Sequence, residues 1–180
     1  KKAGPPMLVD KKCRLGRNYE DFERYLREHP DTPVCEMDTV EGKRGGKVIL
    51  TLFFRNCGLQ LGFLRDRNTS SSVTAVFQQL RSLLTSDEFS ILFPVLLTDR
   101  GSEFSNPIAI EVDLETGELL SKVFYCDPRN TNQKSRCERN HEFIRFIIPK
   151  GKSFDHLEQK DVSLMMHHIN SYGRDMFNGR

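Results

Sequence analysis

The sequence predicts an α/β domain built on a mixed five-stranded sheet flanked by helices. Three observations predict it. Residues 34–40, 47–54 and 59–64 are short apolar, β-branched runs separated by tight turns at 42–46 and at Asn56-Cys57-Gly58, the pattern of an antiparallel meander. A helix from Thr69 or Ser70 to about residue 84 follows. In it Val73, Val76, Phe77, Leu80, Leu83 and Leu84 recur at the i, i+3, i+4, i+7 spacing of a stripe packed on a sheet. Val95, Leu96 and Leu97 then form an apolar run bounded by Pro94 and Gly101, which suits a buried strand returning beside the first.

The remaining elements are justified in chain order. Residues 1–17 are basic, contain Gly4-Pro5-Pro6 and read as a linker or arm. Asn18 can cap a short amphipathic helix with Asp21 at its third position and with Tyr19, Phe22 and Leu26 on one face. That helix stops near His29, because the residue before Pro30 is pushed out of helical geometry. Residues 113–118 read as a hairpin turn between two short strands, the second of which, 121–125, is the fifth strand of the sheet. A polar loop at 130–136 leads into a helix ending before Pro149. On it Glu138, His141, Glu142 and Arg145 share one face, and Phe143, Ile144 and Ile147 lie opposite as anchors to the core. One more helix is expected around 161–172, before a Gly-containing polar end. The organisation expected is an arm with a short helix (1–32), a core (33–151) and a C-terminal helical extension (152–180).

Composition bounds the class. The chain has 180 residues, 37% hydrophobic and 29% charged, enough for one domain with a sizeable core. No apolar run approaches the ~18 residues needed to cross a bilayer, and no secretory signal follows Lys1-Lys2. The first residue is not Met, so a piece of a longer protein is expected. The formal charge of +2 does not by itself imply a nucleic-acid partner. Local clusters do more: Lys43, Arg44 and Lys47 follow the first strand, and Arg129, Lys134, Arg136, Arg139 and Arg145 surround Glu138. Such clusters can neutralise phosphates. Five cysteines, an odd number without a CxxC pair, suit reduced thiols in a cytoplasmic protein. Cys126, Cys137 and His141 could be imagined as zinc ligands, but their spacing is weak evidence and buried or incidental thiols are expected; adjacent His167 and His168 point about 100° apart on a helix.

Three acids carry the chemistry. Asp38 lies in the first strand, Asp99 stands where the fourth strand leaves the sheet, and Glu138 lies on a helix. Strand ends are where sites collect in open α/β sheets. Three converging carboxylates repel one another unless a cation compensates. Oxygen-only ligands suit Mg²⁺ or Mn²⁺, which keep waters and take phosphate oxygens as further ligands.

The flanking residues sharpen this reading. MDTVEG surrounds Asp38, LTDRGSEF surrounds Asp99, and YCDP followed by CERNHEFIRFIIPKG surrounds Glu138. Together, from about residue 34 to 151, the chain resembles the catalytic core of DDE-type insertion-sequence transposases of the family numbered thirty, and more broadly retroviral integrases. The resemblance implies a ribonuclease-H-like (retroviral integrase core) fold and a catalytic and metal-binding triad of Asp38, Asp99 and Glu138 holding two ions. It also implies DNA nicking at transposon ends and strand transfer into target DNA, with a homo-oligomer assembled on DNA and a cytoplasmic, nucleoid-associated location. Basic residues expected to meet DNA are Arg145, Lys150, Arg139, Arg136, Lys134 and Arg100; for Arg145 the plain alternative is an i, i+3 ion pair with Glu142. The chain departs from the family pattern at Cys35, where Trp is usual, at Arg100, where Asn is common, and in a longer gap from Asp99 to Glu138. Gln133 remains in place. The rival readings are a nuclease of the same fold without strand transfer and a domesticated, inactive DNA- or protein-binding module.

Overall fold

The alternation Val34-Cys35-Glu36-Met37-Asp38 makes β1 (Val34–Glu41) a two-faced strand, and the sheet grows on both sides of it. On one side β2 (Val48–Phe54) pairs antiparallel with β1, and β3 (Gln60–Arg65) pairs antiparallel with β2. On the other side β4 (Val95–Thr98) and β5 (Lys122–Tyr125) run parallel to β1. The order β3-β2-β1-β4-β5, with three antiparallel strands followed by two parallel ones, is the expected ribonuclease-H-like topology. The computed structural model describes residues 12–113, 115–128, 130, 133 and 135–172, with the side chains of 135–139 outside that description. Most of the basic arm, Arg129, Lys134 and the polar C-terminal end therefore lie outside it. No described helix is long and apolar enough to cross a membrane.

The helices are α1 (Tyr19–Glu28), α2 (Ser70–Leu83), α3 (Ser86–Leu92), α4 (Pro107–Glu111), α5 (Ser135–Ile147) and α6 (Gln159–Ser171). Asn18 heads α1 as expected, and the Asp21 carboxylate accepts from its backbone N–H at 3.0 Å. Two short helices go beyond the sequence reading. α3 starts from a Thr85–Glu88 capping box, and α4 has Asn106 as cap with Pro107 in its first turn. α4 also displaces the first arm of the expected hairpin. Val112 N–H closes on the Ile108 carbonyl, leaving only an isolated antiparallel bridge between Val112 and Leu119.

One face of the sheet is covered by α2, α3 and α4 over a single apolar cluster containing Met37, Leu50, Leu96, Phe77, Phe89 and Phe93. The opposite face carries two separate clusters. Phe22 of α1 packs on Val34, Val95, Leu97 and Phe124, while Ile144 of α5 and Val162, Met165, Met166 and Ile169 of α6 pack on Val40 and Ile49. Gly62 lets α6 approach β3 closely: a Cβ there would lie 2.9 Å from Val162 and 3.0 Å from Met166. Ile147, expected to anchor α5, is exposed, and Ile144 does the anchoring.

Both sheet edges are closed to further strands. Along β3, Gln159 and Asn170 of α6 bond the backbone of Gln60, Gly62 and Leu64 at 2.8–2.9 Å. Along β5, Glu111 accepts from Val123 N–H at 2.8 Å and the Arg17 carbonyl accepts from Tyr125 N–H at 2.8 Å. Side chains that occupy an edge strand's ladder groups prevent pairing with another chain.

Candidate active site

The gap between the two clusters of the split face is polar, and it holds the first two predicted acids. β1 and β4 pair Glu36 with Leu97, and that register, carried two residues further, sets Asp38 beside Asp99. Thr98 tightens the pairing there by donating its hydroxyl to the Met37 carbonyl at 3.1 Å. Neighbouring strands lie about 4.8 Å apart. Asp38 follows Val34 and Glu36 onto this face, and Asp99 follows Val95 and Leu97. The two carboxylates thus start from adjacent backbone positions on one side of the sheet, where β4 ends. Asp99 is exposed and the Asp38 side chain keeps 17% of its accessibility, so both can be reached from solvent.

Each carboxylate is oriented by local bonds. Asp38 Oδ1 accepts from Thr39 N–H at 2.7 Å, and Asp99 Oδ1 accepts from Gly101 N–H at 2.8 Å. Gly101 lets both carboxylates crowd this turn: a Cβ would fall 2.5 Å from Glu103 Oε2 and 3.0 Å from Asp99 Oδ1, and those side chains would have to shift. Glu103 therefore lies close to Asp99. Asn68 Nδ2 donates to Glu103 at 3.1 Å and to Glu41 at 3.0 Å. Beneath them Arg65 is buried and bonds Thr39 Oγ1 and Ser72 Oγ, each at 2.8 Å. Burial pushes its guanidinium down to about 10, against the pull of Glu103 and Glu41.

The third predicted acid, Glu138, lies in the first part of α5, one turn before His141. Its side chain is outside the described residues, as are those of Arg136, Cys137 and Arg139. His141 fixes how α5 meets the sheet: its Nε2 lies 2.9 Å from Thr51 Oγ1 and its Nδ1 3.9 Å from Asp38 Oδ2. Thr51, the β2 partner of Asp38, also donates to the Asp38 carbonyl at 3.2 Å. Among the described residues no three His, Cys, Asp or Glu side chains are grouped to hold a metal.

The basic candidates divide. Lys150 is exposed in the turn after α5. Arg145 donates to the Glu41 carbonyl at the end of β1, at 2.7 Å, rather than pairing with Glu142, and its burial lowers its pKa. Arg100 bonds the Cys126 carbonyl at 2.9 Å and Asp127 at 3.1 Å. Beside the site, sequence reasoning missed a buried pair. Glu36, on the Asp38 face and 1% exposed, accepts from Arg55 Nε at 2.5 Å.

No family model matches the sequence. Over 143 residues the chain is 27% identical to a putative integrase, ORF3, of Spiroplasma virus SpV1-R8A2 B, a match taking in 79% of this chain and 42% of that relative. The chain thus spans less than half of that relative's length. Among solved structures, the catalytic core domain of BIV integrase is similar with a TM-score of 0.49 at 16% identity, covering 78% of this chain and 83% of that one. His167 and His168 are exposed on α6 and take no part in the site.

Proposed function

We propose that this chain is the catalytic domain of a DNA-integrating or DNA-transposing polynucleotidyl transferase, with residues 33–151 as its core. The observation that carries the reading is the parallel β1–β4 register, Glu36 on Leu97, which extended by two residues brings Asp38 and Asp99 together where β4 ends. The family words around Asp38, Asp99 and Glu138 support it, as does the similarity to a viral protein named as an integrase.

The donors fit a hard divalent cation. Asp38 on β1 and Asp99 just beyond β4 offer short carboxylates open to water, and Glu138 is the third ligand proposed. Asp38, Asp99 and Glu138 would hold Mg²⁺ or Mn²⁺, which would supply activation of the attacking oxygen and charge neutralisation at the leaving oxygen of an in-line displacement. The chain's own residues do the rest. Thr51 and His141 hold Asp38 in place, Gly101 and its turn hold Asp99, and Lys150 meets the DNA backbone, joined by Lys134, Arg136 and Arg139. Arg100 and Arg145 serve the site through protein contacts first. Transposon ends and target DNA are the proposed substrates, and a homo-oligomer on DNA the proposed assembly.

Nicking of supercoiled plasmid in Mn²⁺, with and without a chelator, tests this. Asp38→Asn and Asp99→Asn should each reduce nicking by more than about 100-fold, beyond what an outer-sphere change causes, while the melting temperature holds. A rate unchanged in either variant would sink the reading. Nicking without joining of a labelled DNA end to the plasmid would leave a nuclease.

A further inference from the structure

A chain of hydrogen bonds runs around the candidate site and touches the segment carrying each of the three acids. It begins at Glu36, two residues before Asp38. From there it passes to Arg55, just beyond β2, whose Nε donates to Glu36 at 2.5 Å and whose Nη2 donates to the Gln133 carbonyl at 2.9 Å. Gln133 lies two residues before α5 and five before Glu138. Its side chain clasps Asp127 in both directions: Oε1 accepts from Asp127 N–H at 2.7 Å, and Nε2 donates to Asp127 Oδ2 at 3.1 Å. Asp127 Oδ1 in turn accepts from Arg100, the residue after Asp99.

We propose that Arg55 is a positioning residue for the reaction, setting the entry of α5, and with it Glu138, relative to Asp38; the inference rests on the phosphoryl-transfer reading above. Three features favour Arg55 over the other members of the circuit. It links the end of β2 directly to the segment ahead of α5. Its partner Glu36 is almost fully buried and on the Asp38 face, so a charged group is held there at a cost in desolvation that packing alone does not require. The planar guanidinium uses two different nitrogens for two partners in fixed relative directions, which a lysine ammonium does not reproduce. Phe22 of α1 lies under it, with the guanidinium carbon 5.6 Å from the ring centre, and limits its movement.

Arg55→Lys in the full chain is the test, because it keeps the ion pair with Glu36 and gives up the second bond. Nicking of supercoiled plasmid in Mn²⁺ should lose about 10–100-fold in kcat, the usual size of an outer-sphere loss, with KM for plasmid within about two-fold and half-saturating Mn²⁺ raised. Hydrogen–deuterium exchange should quicken over residues 127–141 and stay unchanged in α2. Gln133→Ala, a change at a half-buried position outside the sheet and the α-helices, should quicken exchange in the same segment to a lesser degree. Wild-type exchange over 127–141 in Arg55→Lys overturns the proposal, and so does a purely stability-linked loss in which the melting temperature falls and exchange rises everywhere. If the wild-type chain does not nick plasmid, the phosphoryl-transfer reading falls, and the exchange comparison still decides the role of Arg55 in seating α5.

Discussion

The two faces of the sheet are built from the same five strands and differ in what interrupts them. Under α2, α3 and α4 the cluster is continuous: Phe77, Phe89 and Phe93 meet one another at ring separations of 5.1–6.4 Å, and Leu96 and Met37 are fully buried beside them. On the opposite face the apolar clusters part around Glu36, Asp38, Thr51, Asp99 and His141. Apolar side chains at the two buried positions, Glu36 and Thr51, would each contribute about 1.5–3 kcal/mol of burial. The split face instead holds polar groups that must be hydrogen-bonded to be tolerated. A face that gives up apolar burial along one seam, at a strand end, has the composition of a site; the continuous face has the composition of a foundation.

The sharpest way to break that comparison is to exchange the two kinds of damage. Phe77→Ala should cost about 3–5 kcal/mol of stability, as large-to-small core changes do, while the nicking rate of the folded fraction at low temperature stays near wild type. Asp38→Asn should do the reverse, losing activity and keeping the fold. Chemical denaturation of both variants, alongside plasmid nicking, measures the contrast. If Phe77→Ala proves as inactive as Asp38→Asn while still folded, the two faces are not separable.

A smaller effect is expected within the seam. Thr51→Val removes the hydroxyl that meets His141 Nε2 and donates to the Asp38 carbonyl, with little change of volume. It should reduce nicking by about 10-fold and stability by about 1 kcal/mol. A variant with unaltered activity would assign Thr51 to the packing of β2 alone.

How much of this was legible in the sequence differs between the faces as well. The continuous face follows from pattern: Val73, Val76 and Phe77 mark the packed stripe of α2, and the alternation in β1 with the apolar runs of β2 and β4 marks its floor. Asp38 and Asp99 were legible because acids at a strand and a strand end stand out against apolar runs. The bonds that seat them were not. Glu36–Arg55, Thr51–His141 and Arg55–Gln133 join residues 19, 90 and 78 apart, and only strand register brings them together. Arg145 illustrates the limit: helical spacing put it on the Glu138 face, but its reach to the Glu41 carbonyl depends on where α5 crosses β1. α3 and α4 could have been found from Thr85-Ser86-Asp87-Glu88 and Asn106-Pro107, which are start signals. Their shortness left too few residues for a period.

The smallest expected effect lies at the rim of the split face, where the β1–β2 turn meets the segment after α5. Asp155 Oδ1 accepts from Lys47 N–H at 2.9 Å, and Gly46 leaves room for it, since a Cβ there would fall 2.7 Å from that oxygen. The Lys47 backbone bond, then Ser153, holds the Asp155 carboxyl below its ordinary 3.8. A carboxylate with a depressed folded pKa stabilises the fold fully above its unfolded value and loses that contribution as pH falls through the folded one. Asp155→Asn keeps an oxygen that can accept from Lys47 N–H and removes only the charge. Melting temperatures of wild type and Asp155→Asn should therefore differ by a small, constant margin from neutral pH down to about 4, and the margin should close on further acidification. Because the site is exposed, added salt should shrink it. A margin that instead widens below pH 4 would mean that the charge at Asp155 opposes the folded state, and that the turn is held to this segment by other contacts, such as Lys47 Nζ on the Leu157 carbonyl and Gly42 against Phe154.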